Sequence, residues 1–129
     1  MRITQIKETC IYAHNLEEAK AFYHGLLGLP IINYELGKHI FFRAGSTVLL
    51  CFNPEDSKSK TSPPPHYAEG PYHFAFEVSP EDYGQVKESL ESKGVKIDQT
   101  MTWRNGQESF YFKDPAGNVL EIVPHGIWE

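Results

Sequence analysis

The sequence predicts an α+β fold built from two tandem copies of one unit, each with the order strand, helix and three strands. Residues 6–17 and 71–82 both carry an alternating strand pattern that runs into a helix-capping residue. Residues 42–54 and 112–124 match each other near the end of each copy. A repeat of this length indicates two copies of one supersecondary unit. We therefore expect one domain over residues 1–129, with module 1 at about 1–54, a linker or flap at 55–70 and module 2 at about 71–129.

Module 1 opens with a predicted strand at residues 5–13, in which Thr9, Ile11 and Ala13 alternate with Glu8, Cys10 and Tyr12. Asn15 then occupies a helix N-cap, with Glu18 at the capping-box spacing. The buried stripe of that helix is Ala19, Phe22 and Leu26, and Gly28 ends it. Strands follow at about 31–36, 39–43 and 47–52.

Module 2 repeats this order after residues 53–70, which have almost nothing to bury and are typical of a linker or mobile flap. A strand at 71–78 is followed by a helix with Ser79 as cap and Pro80 at its first position. Tyr83, Val86 and Leu90 form its buried stripe, and Gly94 ends it. The last predicted strands lie near 95–101, 107–113 and 118–124.

The overall composition excludes several classes of function. The net charge is −5 and no cluster of Lys and Arg forms a basic face, so nucleic acid and anionic membranes are poor partners. No apolar run is long enough to span a bilayer, and the first residues lack the apolar core of a signal peptide. Two cysteines do not make a disulfide framework. A cytoplasmic enzyme or small-molecule binder fits these features.

Metal-ligand residue types occur at matching positions of the repeat. Glu8 aligns with His73 at an offset of 73 − 8 = 65, and Cys51 is expected opposite Glu121 at an offset of 70. Strand alternation then collects many polar side chains on one concave face, as expected of a binding cavity. The set is Glu8, Cys10, Tyr12, His39, Arg43, Cys51, His73, Glu77, Ser109, Tyr111, Lys113 and Glu121.

Three stretches resemble the vicinal oxygen chelate superfamily, which includes glyoxalase I, extradiol dioxygenases, fosfomycin-resistance thiol transferases and bleomycin-resistance proteins. They are the closing motif SFYFKDPAGNVLEI at 109–122, the strand HFAFEV at 73–78 and the helix at 15–29. The resemblance covers essentially the whole chain. It implies paired βαβββ modules whose curved mixed sheets form a cup around one divalent metal ion.

The resemblance also implies a ligand set. The last-strand Glu and the mid-chain His of the family are ligands, which correspond to Glu121 and His73. The family's first ligand is usually His, less often Gln, and Glu8 stands in that place. Glyoxalase I adds a fourth ligand on the fourth strand, at Cys51 here, or at Leu50 or Phe52 if the register slips.

One imidazole and two carboxylates approximate a facial triad and leave positions open for substrate oxygens. Such a set suits Mn or Fe, and Ni or Zn also accept it. A substrate with two adjacent oxygens would chelate the metal, which then acts as a Lewis acid. Candidate catalytic residues are Glu77 and Tyr111, with Cys51 a third possible base. Arg43, Lys113, Tyr12 and Trp103 are candidate substrate-binding residues, through charge or aromatic stacking.

Two functions follow from these expectations. The first is a metal-dependent lyase, dioxygenase or thiol transferase that acts on a small oxygen-rich or electrophilic substrate. The alternative is a metal-free protein that sequesters a drug-like compound, as bleomycin-resistance proteins do. By analogy with short family members we expect a homodimer.

Overall fold

The computed structural model describes every residue from Met1 to Glu129. Contacts divide the chain into two compact units, Met1–Gly70 and Pro71–Glu129. The elements of the first unit are β1 (Glu8–Tyr12), α1 (Leu16–Ala19) with a π-helical continuation (Lys20–Leu26), β2 (Ile31–Glu35), β3 (His39–Ala44), β4 (Thr47–Phe52) and α2 (Pro54–Ser57). Those of the second are β5 (His73–Val78), α3 (Pro80–Ser92), β6 (Gln99–Thr102), β7 (Glu108–Lys113) and β8 (Val119–Pro124).

Each unit contains one four-stranded mixed sheet, and the two sheets have the same strand order. The orders are β1-β4-β3-β2 and β5-β8-β7-β6. The first and last strands of each unit pair in parallel, and the other pairs are antiparallel. The prediction of an α+β fold with two tandem βαβββ modules is therefore confirmed. None of the helices has the length and apolar character that a membrane span requires.

The first helix begins as predicted, because the Asn15 side chain accepts a hydrogen bond from the Glu18 backbone N–H at 3.1 Å. Only its first turn is α-helical, and the rest is π-helical. Of the predicted stripe, Ala19 and Phe22 are buried and Leu26 is partly buried, and Tyr23 is buried beside them. Tyr23 follows Ala19 by four residues, so the helical period includes it, although the predicted stripe did not.

The helix of module 2 begins and ends where predicted, but its cap and the strand that follows it differ from the prediction. Ser79 occupies the N-cap position, but its side chain makes no capping hydrogen bond. After the helix, Val95 N–H bonds the Leu90 carbonyl at 3.0 Å, and Gly94 adopts a left-handed φ of 87°. These contacts close the helix end and delay the next strand. Strand β6 consequently starts at Gln99 and not at residue 95.

The predicted linker at 55–70 is partly folded onto module 1. Its first residues form α2, which the Asn53 side chain caps by accepting from the Glu55 N–H at 3.1 Å. The buried Ser57 hydroxyl donates to the His66 carbonyl, and the His66 ring lies 4.9 Å from that of Phe52. Within residues 53–70 only Pro54 and Ser57 are buried, so the expectation that the segment has almost nothing to bury fails at these two positions alone.

Strand register corrects the expected position of Cys51. Cys51 pairs with Ile11 and Ile40, and its side chain is 0% exposed within the core. Leu50 pairs with Cys10 and Phe41, just as Glu121 pairs with Ala75 and Tyr111.

Leu50 is therefore the repeat counterpart of Glu121, at an offset of 121 − 50 = 71. This offset differs from the expected 70 because the turn between the last two strands is longer in module 2. Four residues separate the paired positions Arg43 and Val48, whereas five separate Lys113 and Val119.

Candidate metal centre

His73 and Glu121 lie together on one face of the second unit's sheet. They come from the parallel strands β5 and β8, where His73 pairs with Val119 and Ala75 pairs with Glu121. His73 Nε2 lies 3.3 Å from Glu121 Oε1. Glu121 is only 6% exposed, whereas the His73 side chain is half exposed. A buried carboxylate at this position requires partners that compensate its charge.

The tautomer of His73 is set by a backbone carbonyl. His73 Nδ1 lies 2.9 Å from the Val119 carbonyl oxygen, which can only accept, so Nδ1 carries the proton. In neutral histidine, Nε2 then presents a lone pair to the Glu121 carboxylate. Two acceptors that face each other at 3.3 Å repel unless a proton or a cation lies between them. A carbonyl on the remote nitrogen is also the usual arrangement behind a metal-bound histidine.

The two donor atoms fit a single divalent ion by distance and by chemistry. With ligand bonds of about 2.1 Å, atoms 3.3 Å apart subtend about 100° at a shared ion, between octahedral and tetrahedral values. Imidazole nitrogen and carboxylate oxygen are ligands that Mn, Fe, Ni and Zn accept. His73 and Glu121 are therefore suited to hold a metal, with positions left open for further ligands.

Tyr111 adjoins this pair from the neighbouring strand β7. Its ring lies 5.8 Å from that of His73. Burial raises the pKa of Tyr111, and the negative charge of Glu121 raises this pKa further, whereas Ser109 acts in the opposite direction. A phenol with a raised pKa keeps its proton, so this hydroxyl is a donor and not a ready base.

The other predicted residues of module 2 have partners of their own. Glu77 lies 3.2 Å from His125 Nδ1, which also contacts Glu129 at 3.0 Å, and all three are exposed. Lys113 pairs with Asp98 at 3.1 Å. Trp103 is partly exposed, and its indole N–H donates to Ser109 at 2.9 Å.

In the first unit, Glu8 is exposed at the start of β1, where it pairs with Val48. Cys10 follows on the same face, and burial, with a smaller contribution from Glu8, raises the pKa of its thiol. Arg43 is exposed on β3. The Tyr12 ring lies 6.3 Å from that of Phe52, among several aromatic side chains. The same cluster includes Phe41, His39, His66 and Tyr67.

Sequence reasoning missed two hydrogen bonds in the second unit. The Val119 carbonyl sets the His73 tautomer, but no side-chain pattern reports a backbone acceptor. The contact between Trp103 and Ser109 was missed because the two residues lie six positions apart across a turn. The return of the chain from Trp103 to Gln107, marked by Asn105 and Gly106, is the signal that would have indicated it.

Comparison with known proteins agrees with the fold. Residues 5–122 match the model of the Glyoxalase/Bleomycin resistance protein/Dioxygenase superfamily, and the chain belongs to this family. The expected resemblance is therefore confirmed.

Among curated proteins, the chain is 29% identical over 113 residues to glutathione transferase FosA of Serratia marcescens, covering 84% of this chain and 72% of that protein. Among solved structures, it is similar to lactoylglutathione lyase from Agrobacterium tumefaciens, with 32% identity, a TM-score of 0.93 and coverage of 99% and 98% of the two chains. An integron cassette protein from the Halifax Harbour sewage outfall shares the fold, at 23% identity and a TM-score of 0.77, with coverage of 95% and 99%.

Proposed function

We propose that this protein is a metal-dependent enzyme in which His73 and Glu121 bind one divalent ion. The observation that supports this most directly is the pair of acceptor atoms 3.3 Å apart, with the tautomer of His73 set by Val119. A cation at this point removes the repulsion and compensates the buried carboxylate.

We propose Glu8 as the third ligand. It is the repeat counterpart of His73, and its carboxylate is exposed and without a hydrogen-bonded lysine or arginine among the described contacts. Two carboxylates and one imidazole make an oxygen-rich set, for which Mn or Fe is the expected ion and Ni or Zn are further candidates.

The position of the fourth glyoxalase I ligand argues for thiol transfer over the lyase reaction. In this chain that position falls to Leu50, which has no ligand atom, while Cys51 points into the core. A three-ligand set leaves one more position for an electrophile's oxygens. Two of the three similar proteins named above are a glutathione transferase and a lactoylglutathione lyase. We therefore propose that glutathione, or a similar thiol, is one substrate and a small oxygen-bearing electrophile such as an epoxide is the other.

In this reaction the thiolate sulfur attacks carbon, the C–O bond of the epoxide breaks, and the oxygen takes a proton. The bound metal would supply a Lewis acid to the epoxide oxygen. Tyr111 is the candidate proton donor, because burial and the charge of Glu121 raise the pKa of its hydroxyl. Glu77 is the candidate acceptor of the thiol proton, and the exposed Arg43 is the candidate partner for a glutathione carboxylate.

Lys113, Tyr12 and Trp103 complete the proposed substrate-binding residues. Lys113 is exposed on the same strand as Tyr111, and Tyr12 presents an aromatic ring on the same strand as Glu8. Charge at Lys113 would attract an anionic substrate, and the rings of Tyr12 and Trp103 would pack against its apolar part.

The experiment compares two reactions of the Mn²⁺-loaded protein. Glutathione consumption with fosfomycin as the epoxide is expected, and it should be lost after chelation and in His73→Ala. Conversion of the methylglyoxal–glutathione hemithioacetal should be much slower. A preference for the hemithioacetal would contradict the assignment of thiol transfer. Ligand binding that survives exhaustive chelation, without turnover, would support a metal-free sequestering protein instead.

A further inference from the structure

A second cluster of metal-ligand residue types lies in the second unit, apart from His73 and Glu121. His125 Nδ1 lies 3.2 Å from Glu77 Oε2 and 3.0 Å from Glu129 Oε1. These three donor atoms all lie within 4.8 Å of one another. Glu77 follows His73 by four residues on β5, which puts their Cα atoms roughly 13 Å apart along the strand. One ion therefore cannot serve both clusters.

The charges of this cluster favour a cation. Two carboxylates converge on one ring nitrogen of His125, and no lysine or arginine lies within ion-pair distance of either carboxylate. A neutral imidazole can direct its single Nδ1 proton along a straight line to only one of the two oxygens. Like charges held this close repel each other, and the whole chain carries a net charge of −5. A divalent ion between the three donor atoms removes that repulsion.

The distances within the cluster also suit coordination of one ion. With ligand bonds of about 2.1 Å, atoms 3.0 and 3.2 Å apart subtend about 90° and about 100° at a shared ion. These angles match octahedral or slightly distorted coordination, in which neighbouring ligands stand near 90°. The histidine and both carboxylates can therefore contribute one donor atom each without a change in their backbone.

Backbone contacts hold the histidine of this cluster in place. The His125 N–H donates to the Val78 carbonyl at 2.9 Å, and its carbonyl accepts from the Gln107 side chain at 2.9 Å. The next residue, Gly126, has a left-handed φ of 112°, and a Cβ there would lie 2.8 Å from Gln107 Oε1. The turn that brings Glu129 back to His125 therefore requires glycine at position 126.

We propose that Glu77, His125 and Glu129 form a second divalent metal site, for which Zn²⁺ is the expected ion. Imidazole and carboxylate are ligands that Zn²⁺ takes, with water in the remaining position. All three side chains are exposed and enforce no fixed geometry, so affinities follow the Irving–Williams order, in which Zn²⁺ binds more tightly than Mn²⁺. Because water competes for exposed ligands, this is the weaker of the two sites, and its ion should be lost on desalting.

This second site does not depend on the proposed function, since it uses neither His73 nor Glu121. It has one consequence for that function. Glu77 is the candidate acceptor of the thiol proton, and a bound ion would compete with that proton for the same carboxylate.

The first test follows the histidine ring signals of the parent by nuclear magnetic resonance while Zn²⁺ is added. The second equivalent should shift the signals of His125, which His125→Ala identifies by their absence. The signals of His24, whose Nδ1 lies 2.8 Å from the Leu29 carbonyl, should stay unchanged. If the centre at His73 binds no ion, His125 should respond to the first equivalent instead, so failure of the proposed function remains distinguishable. Unshifted His125 signals at saturating Zn²⁺ would overturn the inference.

The second test measures Zn²⁺ affinity by titration calorimetry in a His73→Ala background, which removes the first centre. His125→Ala, Glu77→Gln and Glu129→Gln should each raise the dissociation constant more than about 10-fold, because loss of an outer-shell partner alone already costs about 10–100-fold. All three side chains are exposed, so circular dichroism should show a parent-like fold in each variant.

Glu91→Gln in the same background is the matched control, because Glu91 is an exposed carboxylate of the second unit outside the cluster. It should bind Zn²⁺ with unchanged affinity. Equal affinity in Glu91→Gln and Glu129→Gln would indicate general attraction to an acidic surface and would overturn the site. A loss of affinity in His125→Ala without one in Glu129→Gln would overturn the three-ligand set as well.

Discussion

Replacing Glu121 by leucine should make the metal-free protein more stable and should abolish metal binding. Leu50 occupies the counterpart position in module 1, so a leucine fits this site of the βαβββ unit. Fully burying a leucine side chain contributes about 2 kcal/mol, and losing the polar interaction with Tyr111 costs at most about 1 kcal/mol. The net gain is at least about 1 kcal/mol, since the desolvation penalty of the carboxylate also disappears.

The assay is urea unfolding of the parent and Glu121→Leu, once in EDTA and once with Mn²⁺ at about 100 times the parent's dissociation constant. At that concentration the parent should gain about 2.7 kcal/mol of unfolding free energy, and Glu121→Leu should gain none. The order of stability should therefore reverse between the two conditions. Glu77→Gln, an exposed carboxylate change in the same module, serves as the control and should respond to Mn²⁺ like the parent. A Glu121→Leu protein that is less stable than the parent in EDTA would refute the reasoning.

Three further predictions concern module 1. Glu8→His should retain Mn²⁺ binding in an equilibrium titration and Glu8→Ala should lose it; equal binding by both would remove Glu8 from the ligand set. Leu50→Glu should fold, because Leu50 is on the same sheet face as Cys10. Cys51→Glu should be unfolded, because it buries an unpaired carboxylate in the core. Circular dichroism distinguishes the two outcomes. The hydrogen bond to Glu17 is the main cause that raises the Tyr34 pKa from 10.0 to about 12. Its stabilising contribution is present below about pH 10 and lost as the pH rises through about 12; ultraviolet phenolate titration should show this pKa fall in Glu17→Gln, and no change there would contradict the assigned cause.

Much of the fold was predictable because the spacing of apolar residues along the sequence shows the period of each strand and helix. Alternation placed Phe110, Phe112, Leu120 and Ile122 in the core, where the structure has them. The Asn15 cap was equally readable, because it depends on a contact three residues away. Such local patterns carry enough information to predict a βαβββ unit twice over.

The wrong predictions share one physical cause. They concern positions that depend on contacts between residues far apart in the sequence, which no local pattern shows. Cys51 was placed opposite Glu121 because the sequence repeat was extended across a turn that is one residue longer in module 2. A shift of one residue moves a strand side chain to the other face of the sheet. Residues 55–57 were taken for linker because the sequence there is polar, whereas the structure places them in α2 and buries Ser57.

The candidate centre was predictable in its side chains but not in its chemistry. His73 and Glu121 were named from the motif, and the structure brings them to 3.3 Å. The hydrogen bond that sets the His73 tautomer is accepted by the Val119 carbonyl, 46 residues away along the chain. Only the parallel pairing of β5 with β8 creates that contact.

Metal content after purification without chelator, determined by elemental analysis, tests the central claim most directly. The parent should contain close to one divalent ion per chain, and His73→Ala and Glu121→Ala should contain almost none while remaining folded by circular dichroism. Cys51→Ala, which alters only the core, should keep the parent's content. A parent that stays metal-free after reconstitution with Mn, Fe, Ni and Zn, or one whose metal survives in His73→Ala, would contradict the assignment of this pair as the metal centre.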